Sequence, residues 1–428
     1  VLTPSLCKNG LSAFFKRSSD LLSGLAGKVN GIWHSYRITR HRGALRIDPD
    51  YTKHLTSLLS STAGYAPNSS LSLEDEQIGS NIEQETSTLN RNNLTRTNAY
   101  WAVFNKYPEL HWAFLAHMVS RNGGWSMTDL KGQWLPQLQN QKHTADIFKL
   151  LESCNSLIFG DAYPQLRLYI ESKRIGRSLF GLLPRFGVSS FMIPFWNRFW
   201  MDGNPVPLTE ALIINEQHFI QLRVVEDAYY KRNVLDTLSF RSQPWLQLNQ
   251  IVFPLWPKAQ HGQGVPMRLV GRVLERFEDL DERIRFGISL YGILFGYSDV
   301  LQRTTAFASH VSHSGSRADY WPHRFTSVLT PKADSESDRS DIAAGPVRPG
   351  IWLSPTLSEA WMDQAIHPAK KGDWFQSMDV ISYLQPPKPP RIIDMTHEHL
   401  FGQNKLQAAV LLERSFKNGA SNRRTGRG

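Results

Sequence analysis

Between Pro205 and Asn233 the residues Ile214, His218, Leu222, Val225 and Tyr229 step by four, four, three and four, the period of one helix face. A second segment, about Asp281 to Tyr297, sets Ile284, Ile288, Tyr291 and Phe295 on one face. Its Gly287, Gly292 and Gly296 would let another helix come close, which suits a central position. Asp161 can cap a helix running through Tyr169 and Ile175, with Pro164 in its first turn. Pro108 can open another that ends at Asn122-Gly123-Gly124. Period-two alternation is scarce, at best around Arg391–Met395. These patterns predict a mainly α fold, a multi-helix globular core with long polar insertions and few or no strands.

The 41% of hydrophobic residues, with 11% aromatic, can build a core and exclude wholesale disorder. The formal charge of +10 is unevenly spread. Residues 1–55 carry nine Lys or Arg and three Asp, residues 56–90 carry five acids and no Lys or Arg, and residues 413–428 carry five bases and one acid. Six spans are expected. They are a basic N-terminal arm (1–55), a polar acidic linker (56–93), a helical core (94–329), a disordered linker (330–350), a C-terminal segment packing on the core (351–412) and a basic tail (413–428). No internal repeat is present. Two cysteines, Cys7 and Cys154, are too few for a disulfide framework and argue for a reducing compartment. No uncharged run is apolar enough to span a bilayer, and Lys16, Arg17 and Asp20 interrupt the only apolar stretch near the start, which argues against a signal peptide. The aromatic stretch Phe180 to Trp200 could lie in a bilayer interface, but Pro184, Gly187 and Pro194 prevent one long amphipathic helix and favour burial. The expected location is the cytoplasm, with peripheral contact to a membrane left open.

Standard catalytic signatures are missing. Gly27-Lys28 is followed by Val29, where a phosphate loop needs Ser or Thr, and there is no Cys-x-x-Cys. His397-Glu398-His399 is too compact for a zinc-protease helix. No metal and no cofactor are expected. Three polar groups in aromatic surroundings remain. In the first, His117 and Arg121 share a helix face and Asp129 could reach them after a Gly-Gly reversal. In the second, Ser309 to Phe325, the residues Ser314, Ser316 and Arg317 suit a phosphate or carboxylate nest, and His313 with Asp319 suits acid–base work. His310 and His313 stand at helical spacing for a metal, which is the weaker alternative. Ser314 and Ser316 lack a nucleophile elbow because Ser312 stands where the first glycine should be. The third group lies on the 205–233 helix, where Asn215 and His218 sit on or beside the apolar face with Glu216 adjacent and Glu210 a turn and a half earlier. For each group, a satisfied structural network is the competing explanation.

Several of these runs resemble a known family. They are His111-Trp112 through Met127-Thr128-Asp129-Leu130-Lys131-Gly132, Asn215-Glu216-Gln217, Phe253-Pro254-Leu255, Ser314 through Pro322, Tyr383 through Pro390, and Phe401-Gly402-Gln403-Asn404-Lys405. Over about residues 94–412 the chain resembles the YppC-like family of uncharacterised proteins from Bacillus-type bacteria. The resemblance implies a bacterial, cytoplasmic protein and supplies no activity.

Two readings of function stay open. One is a non-enzymatic binding protein that contacts an anionic partner, nucleic acid or an anionic membrane surface, through residues 1–55 and 413–428. The other is a hydrolase-like enzyme acting on a phosphorylated or carboxylated small substrate. For the enzyme, the expected acid–base groups are His117, His218, His313 and Asp319. Arg121, Asp129, Glu216, Ser314, Ser316 and Arg317 would bind substrate, and all of these residues except the two serines should line one pocket.

Overall fold

A computed structural model describes residues 26–41, 43, 45, 59, 72–237, 249–258, 266–328, 351–365 and 372–425, with side chains described as far as residue 415. Helices dominate. Residues 26–38 form α1, followed by α2 (Leu73–Leu89), α3 (Asn93–Lys106), α4 (His111–Asp129), α5 (Gln141–Ile175), α6 (Ile193–Asp202) and α7 (Pro205–Ile220). After the hairpin β1 (Gln250–Leu255) and β2 (Arg268–Val273) come α8 (Leu280–Gly296), α9 (Ser298–His310) and α10 (Thr396–Thr425). A two-residue parallel pair joins Phe325–Thr326 to Trp352–Leu353. The fold is mainly α, as the periodicity predicts.

Helix α4 lies at the centre and packs on α3, α5, α7, α8 and β1. Trp112, Ala113, Phe114, Met118, Trp125 and Met127 are buried along it. It runs straight through Gly123-Gly124 to Asp129, so those glycines do not end it. They are sites of close approach instead. A Cβ on Gly124 would lie 2.5 Å from both Asn93 Oδ1 and His313 Nε2.

Helix α5 also overrides its local signals. It starts at the cap Asn140, whose side chain accepts the His143 N–H, and ends at Gly176 with φ of 76°. Asp161 and Pro164 therefore lie inside it and not at its start. An interior proline costs about 3 kcal/mol. Burial of Phe159, Leu166, Leu168 and Tyr169 on the same helix can offset that at about 1.5–3 kcal/mol each. The Asp161 carboxylate accepts from Gln165 at 2.9 Å and Asn215 at 2.5 Å, not from helix N–H groups.

Helix α7 stops at Ile220, short of the expected Asn233. Two π-turns, 221–225 and 231–235, follow, and between them Asp227 caps the N–H groups of Tyr229 and Tyr230. Leu222 and Tyr229 are exposed, so the five-residue stripe is not one buried face. Most of α7 is buried on every side, from Val206 to Asn215. A single stripe was never what placed it.

Two other expectations change. The span read as an acidic linker contains α2, capped by Ser72 and packed on α5 through buried Ile78 and Ile82. Its acids meet Arg177 and Arg185, at 2.6 Å from Asp75 and 2.9 Å from Glu83. Part of the basic arm is likewise docked. In α1, His34, Ser35 and Ile38 are buried. Ser35 Oγ accepts the N–H groups of Ile393 and Asp394, and His34 Nδ1 lies 2.7 Å from Asp394 Oδ2. The linker expected at 330–350 lies outside the described residues.

The hairpin β1–β2 escaped the sequence reading, which favoured 391–395; there only Asp394 makes a bridge, to Val270. Val252, Phe253, Leu255, Leu269 and Val270 are buried against the helices. Asn122 of α4 clasps β1, accepting from Val252 N–H at 2.9 Å and donating to its carbonyl at 2.8 Å. In α8, Gly287 admits Ile213 of α7, but Gly292 and Gly296 admit Pro389 of an irregular segment and not a helix. The stretch Phe180 to Trp200 is core, with Phe180, Leu183, Phe191, Phe195, Trp196 and Phe199 buried. Among the described residues no helix is long and apolar enough to cross a membrane.

Candidate functional site

The C-terminal half of α4 and the turn-rich segment after α9 do come together. Arg121, fully buried, donates to the carbonyls of Val311 and Ser312 and lies 3.8 Å from Asp319. Burial pulls its pKa down to about 10, against the pull of Asp319. Asp319 accepts from the Ser314 N–H at 3.0 Å, the Ser314 hydroxyl at 2.5 Å and Trp125 Nε1 at 3.4 Å. Burial raises its pKa, and the hydrogen bonds and nearby cations outweigh that and lower it. His313 bonds Asn93 Oδ1 through Nε2 at 2.9 Å, with Nδ1 3.6 Å from Asp319. Desolvation takes the ring to about 4, so it is neutral at pH 7.

The segment Ser314 to Ala318 resembles an anion nest only in sequence. Four of its five backbone donors are already engaged. Ser314 N–H meets Asp319, Ser316 N–H meets Ser314 Oγ, Arg317 N–H meets Ser354 Oγ and Ala318 N–H meets Ser316 Oγ. Asp319 occupies the place an anion would take. The Ser314 hydroxyl donates to Asp319 and the Ser316 hydroxyl to the Ser354 carbonyl, so neither is paired with a histidine base.

Arg317 turns instead to Asp129. Its Nε and terminal nitrogen reach both carboxylate oxygens at 2.6–2.9 Å. Burial disfavours the guanidinium, but Asp129 outweighs it and raises its pKa. Asp129 gets there from the end of α4, not through a Gly-Gly reversal. From Arg317 a chain continues to Tyr320 Oη (2.5 Å), to His399 Nε2 (2.9 Å), and from His399 Nδ1 to Gln250 Oε1 (2.8 Å). Gln250 had no sequence signal and His399 stood only in the His397-Glu398-His399 run, because the two are far apart in the chain and meet only when α10 packs on β2.

Asp129 and Gln250 also line a cavity of about 280 Å³ between α4, α5, α7, α8 and the hairpin. Its wall is mainly apolar, including Leu115, Val119, Ile147, Ile220, Phe286 and Leu290. Two polar side chains in it stand out. Glu216 accepts from Trp112 Nε1 at 3.2 Å and from Gln217 at 3.1 Å, and burial pushes its pKa up to about 8. Arg283 of α8 donates to Gln217 Oε1 at 3.0 Å, and to the Phe277 carbonyl and Gln221 Oε1 at 2.5 Å each. Cys154, also in the wall, is a neutral thiol with a pKa raised to about 12 by burial.

Two expected residues stand apart from this cavity. His117 bonds the Thr97 carbonyl at 2.8 Å within an aromatic cluster of Trp101 and Phe114. His218 stacks on Trp374, ring centroids 4.2 Å apart, and burial lowers its pKa to about 4. Of the ten residues singled out, Asp129 and Glu216 line the cavity, Arg317 braces Asp129, and Arg121, His313, Ser314, Ser316 and Asp319 form the network at the end of α4.

A family model described as Protein of unknown function (DUF2515) matches residues 88–400, which take in both the network and the cavity. The chain belongs to this family. It is 36% identical over 340 residues to the Uncharacterized protein YppC of Bacillus subtilis (strain 168), covering 79% of this chain and 96% of that protein. No solved structure matches. The family resemblance read from the motifs is thus shown, and with it a bacterial relative.

Proposed function

We propose that this protein is a non-enzymatic binding protein that docks on an anionic lipid surface through α1. The observation that supports this reading is the reversed amphipathicity of that helix. Val29, Ile32, Trp33 and Tyr36, spaced i, i+3, i+4, i+7, are 65%, 41%, 62% and 53% exposed. The face turned to the protein holds Gly31, His34, Ser35 and Ile38. A surface helix ordinarily turns its apolar stripe inward. Here it points to solvent.

The charge on this helix has one sign. Lys28, Arg37 and Arg40 are exposed, and residues 26–41 contain no acid. Arg37 also lies over the Trp33 ring at 5.2 Å. The patch continues past His397, which packs on Gly27 and stacks with exposed Phe401, itself under Lys405. Aromatic rings beside cations suit the headgroup level of a bilayer, where each Lys or Arg near an anionic surface is worth about 1 kcal/mol. A nucleic acid would use the cations and leave Val29 and Ile32 without a partner, so lipid is the occupant this face favours. The basic tail is the C-terminal end of α10, where Arg414 is exposed and later side chains lie outside the described ones.

Flotation with phosphatidylcholine vesicles, with and without phosphatidylglycerol, tests the proposal. Wild-type protein is expected to float with the anionic vesicles in low salt and to lose at least about tenfold in bound fraction for Ile32→Ser/Trp33→Ser. Equal binding to neutral vesicles, unchanged flotation of the variant, or binding to DNA in place of vesicles overturns it. Point substitutions are preferable to deleting the arm, because deletion would remove buried His34 and Ile38.

A further inference from the structure

The cavity inside the helical core has a charge arrangement that its own walls do not complete. Arg283 is buried, yet its hydrogen bonds go to two amide oxygens and one carbonyl. None of these carries a charge. Three of its five N–H donors are accounted for, and both terminal nitrogens keep one N–H beyond those bonds. Asp279, Glu278 and Glu226 act on it only at a distance, the Phe277 ring lies 5.4 Å from the guanidinium, and among the described residues no carboxylate lies within ion-pair reach. Gln217 stands between Arg283 and Glu216, giving its amide N–H to the acid and its carbonyl to the guanidinium, so the two do not meet.

The remaining ionisable groups in the wall are neutralised. Asp129 is held by Arg317, and the Cys154 thiol keeps its proton. Burial likewise favours the protonated, uncharged Glu216. Arg283 is then the one net charge among the described wall residues. A buried cation without a counter-ion carries a desolvation cost that a ligand anion would offset. The rest of the wall is uncharged and mainly apolar, with Leu115, Val119, Ile220, Ile251 and Phe286, although Ser126, Asn155 and Gln250 also reach it. A cavity of 280 Å³ holds about nine waters' worth of liquid volume, enough for a ligand on the order of ten heavy atoms.

We infer that this cavity is a binding site for a small, mostly apolar molecule with one carboxylate, which Arg283 receives while the apolar walls from α4, α5 and α8 enclose the body. Arg is suited to this because its planar fork matches a carboxylate. Gln217 holds the guanidinium from one side and orients it. The inference is independent of the lipid-surface reading, since it uses no residue of α1.

Isothermal titration with octanoate, octanol and octylamine at pH 7 tests it. These probes share one chain and differ in head group. Octanoate is expected to bind at least about tenfold tighter than the other two. Arg283→Gln should erase that preference, bringing octanoate level with octanol. Ala116→Leu, which adds bulk to the wall without touching a charge, should weaken octanoate by about tenfold or more. Octylamine binding as well as octanoate would place the anchor at Glu216 and overturn the assignment. So would no binding of any probe, or wild-type octanoate affinity in a folded Ala116→Leu protein. If Arg283→Gln does not fold, the order of the three probes on wild-type protein still decides.

Discussion

Glu216 and Asp161 are carboxyl groups that the fold keeps away from water. Burial raises Glu216 from 4.5 to about 8 and Asp161 from 3.8 to about 7, although Asn215 and Gln165 donate to the latter. In the unfolded chain both ionise near their ordinary values. Between about pH 5 and 8 the unfolded state therefore binds fewer protons than the folded one, and stability falls as pH rises through that window. Glu216→Gln removes the titration and keeps the acceptor for Trp112. Its melting temperature relative to wild type is expected to rise from pH 5 to pH 8, a gain on the order of 2 kcal/mol. A difference that stays flat across that range would show that Glu216 ionises normally. Sequence inspection singled out Glu216 but gave no reason for its shift, because the reason is the apolar wall contributed by other helices.

At the scale of elements, glycines explain why helices and hairpin fit together. Gly271 in β2 lies against β1 so closely that a Cβ would sit 1.9 Å from the Ile251 carbonyl oxygen. That oxygen is backbone in a paired strand and cannot swing aside. Gly271→Ala is expected to cost at least about 3 kcal/mol, as overpacking against an immobile neighbour does. Gly176→Ala, at the C-terminus of α5 with φ of 76° and nothing within 4 Å, meets only backbone strain of about 1–2 kcal/mol. Chemical denaturation of the two variants orders them, and a smaller loss for Gly271→Ala would contradict the packing described. The helix ends also divide by cause. Asn140 and Gly176 bound α5 where local capping chemistry says, but Gly123-Gly124 do not end α4, and Asp161 with Pro164 does not start α5. Those residues carry correct local signals that tertiary contacts to Asn93, His313 and Asn215 outweigh.

Across the whole molecule the two proposed sites lie on different elements, the stripe on α1 and the cavity among α4, α5, α7, α8 and the hairpin. They do not share a side chain. Ile32→Ser/Trp33→Ser is therefore expected to lose vesicle flotation and to keep octanoate affinity within about twofold, and Ala116→Leu to do the reverse. Titration and flotation on the same two preparations measure this. Loss of both functions in either variant would mean that the sites are coupled or that the variant is misfolded, which its melting curve separates.

The sequence by itself determined the helical class and the position of α8, which follow from apolar spacing within one segment, and the burial of the Phe180–Trp200 aromatics, which follows from the breaks at Pro184, Gly187 and Pro194. It also carried the family, whose motifs are contiguous runs such as Ser314 to Pro322. It could not place Arg283 beside Gln217, or carry the chain from Asp129 through Arg317, Tyr320 and His399 to Gln250. Those partners are far apart along the chain and have no periodic signal of their own. The same holds for α1. In sequence it is part of a basic arm, and only the docking of His34 and Ser35 onto Asp394 decided that the face with His34, Ser35 and Ile38 turns inward. Periodicity reports which residues share a face. Which way that face points depends on hydrogen bonds to a segment more than three hundred residues away.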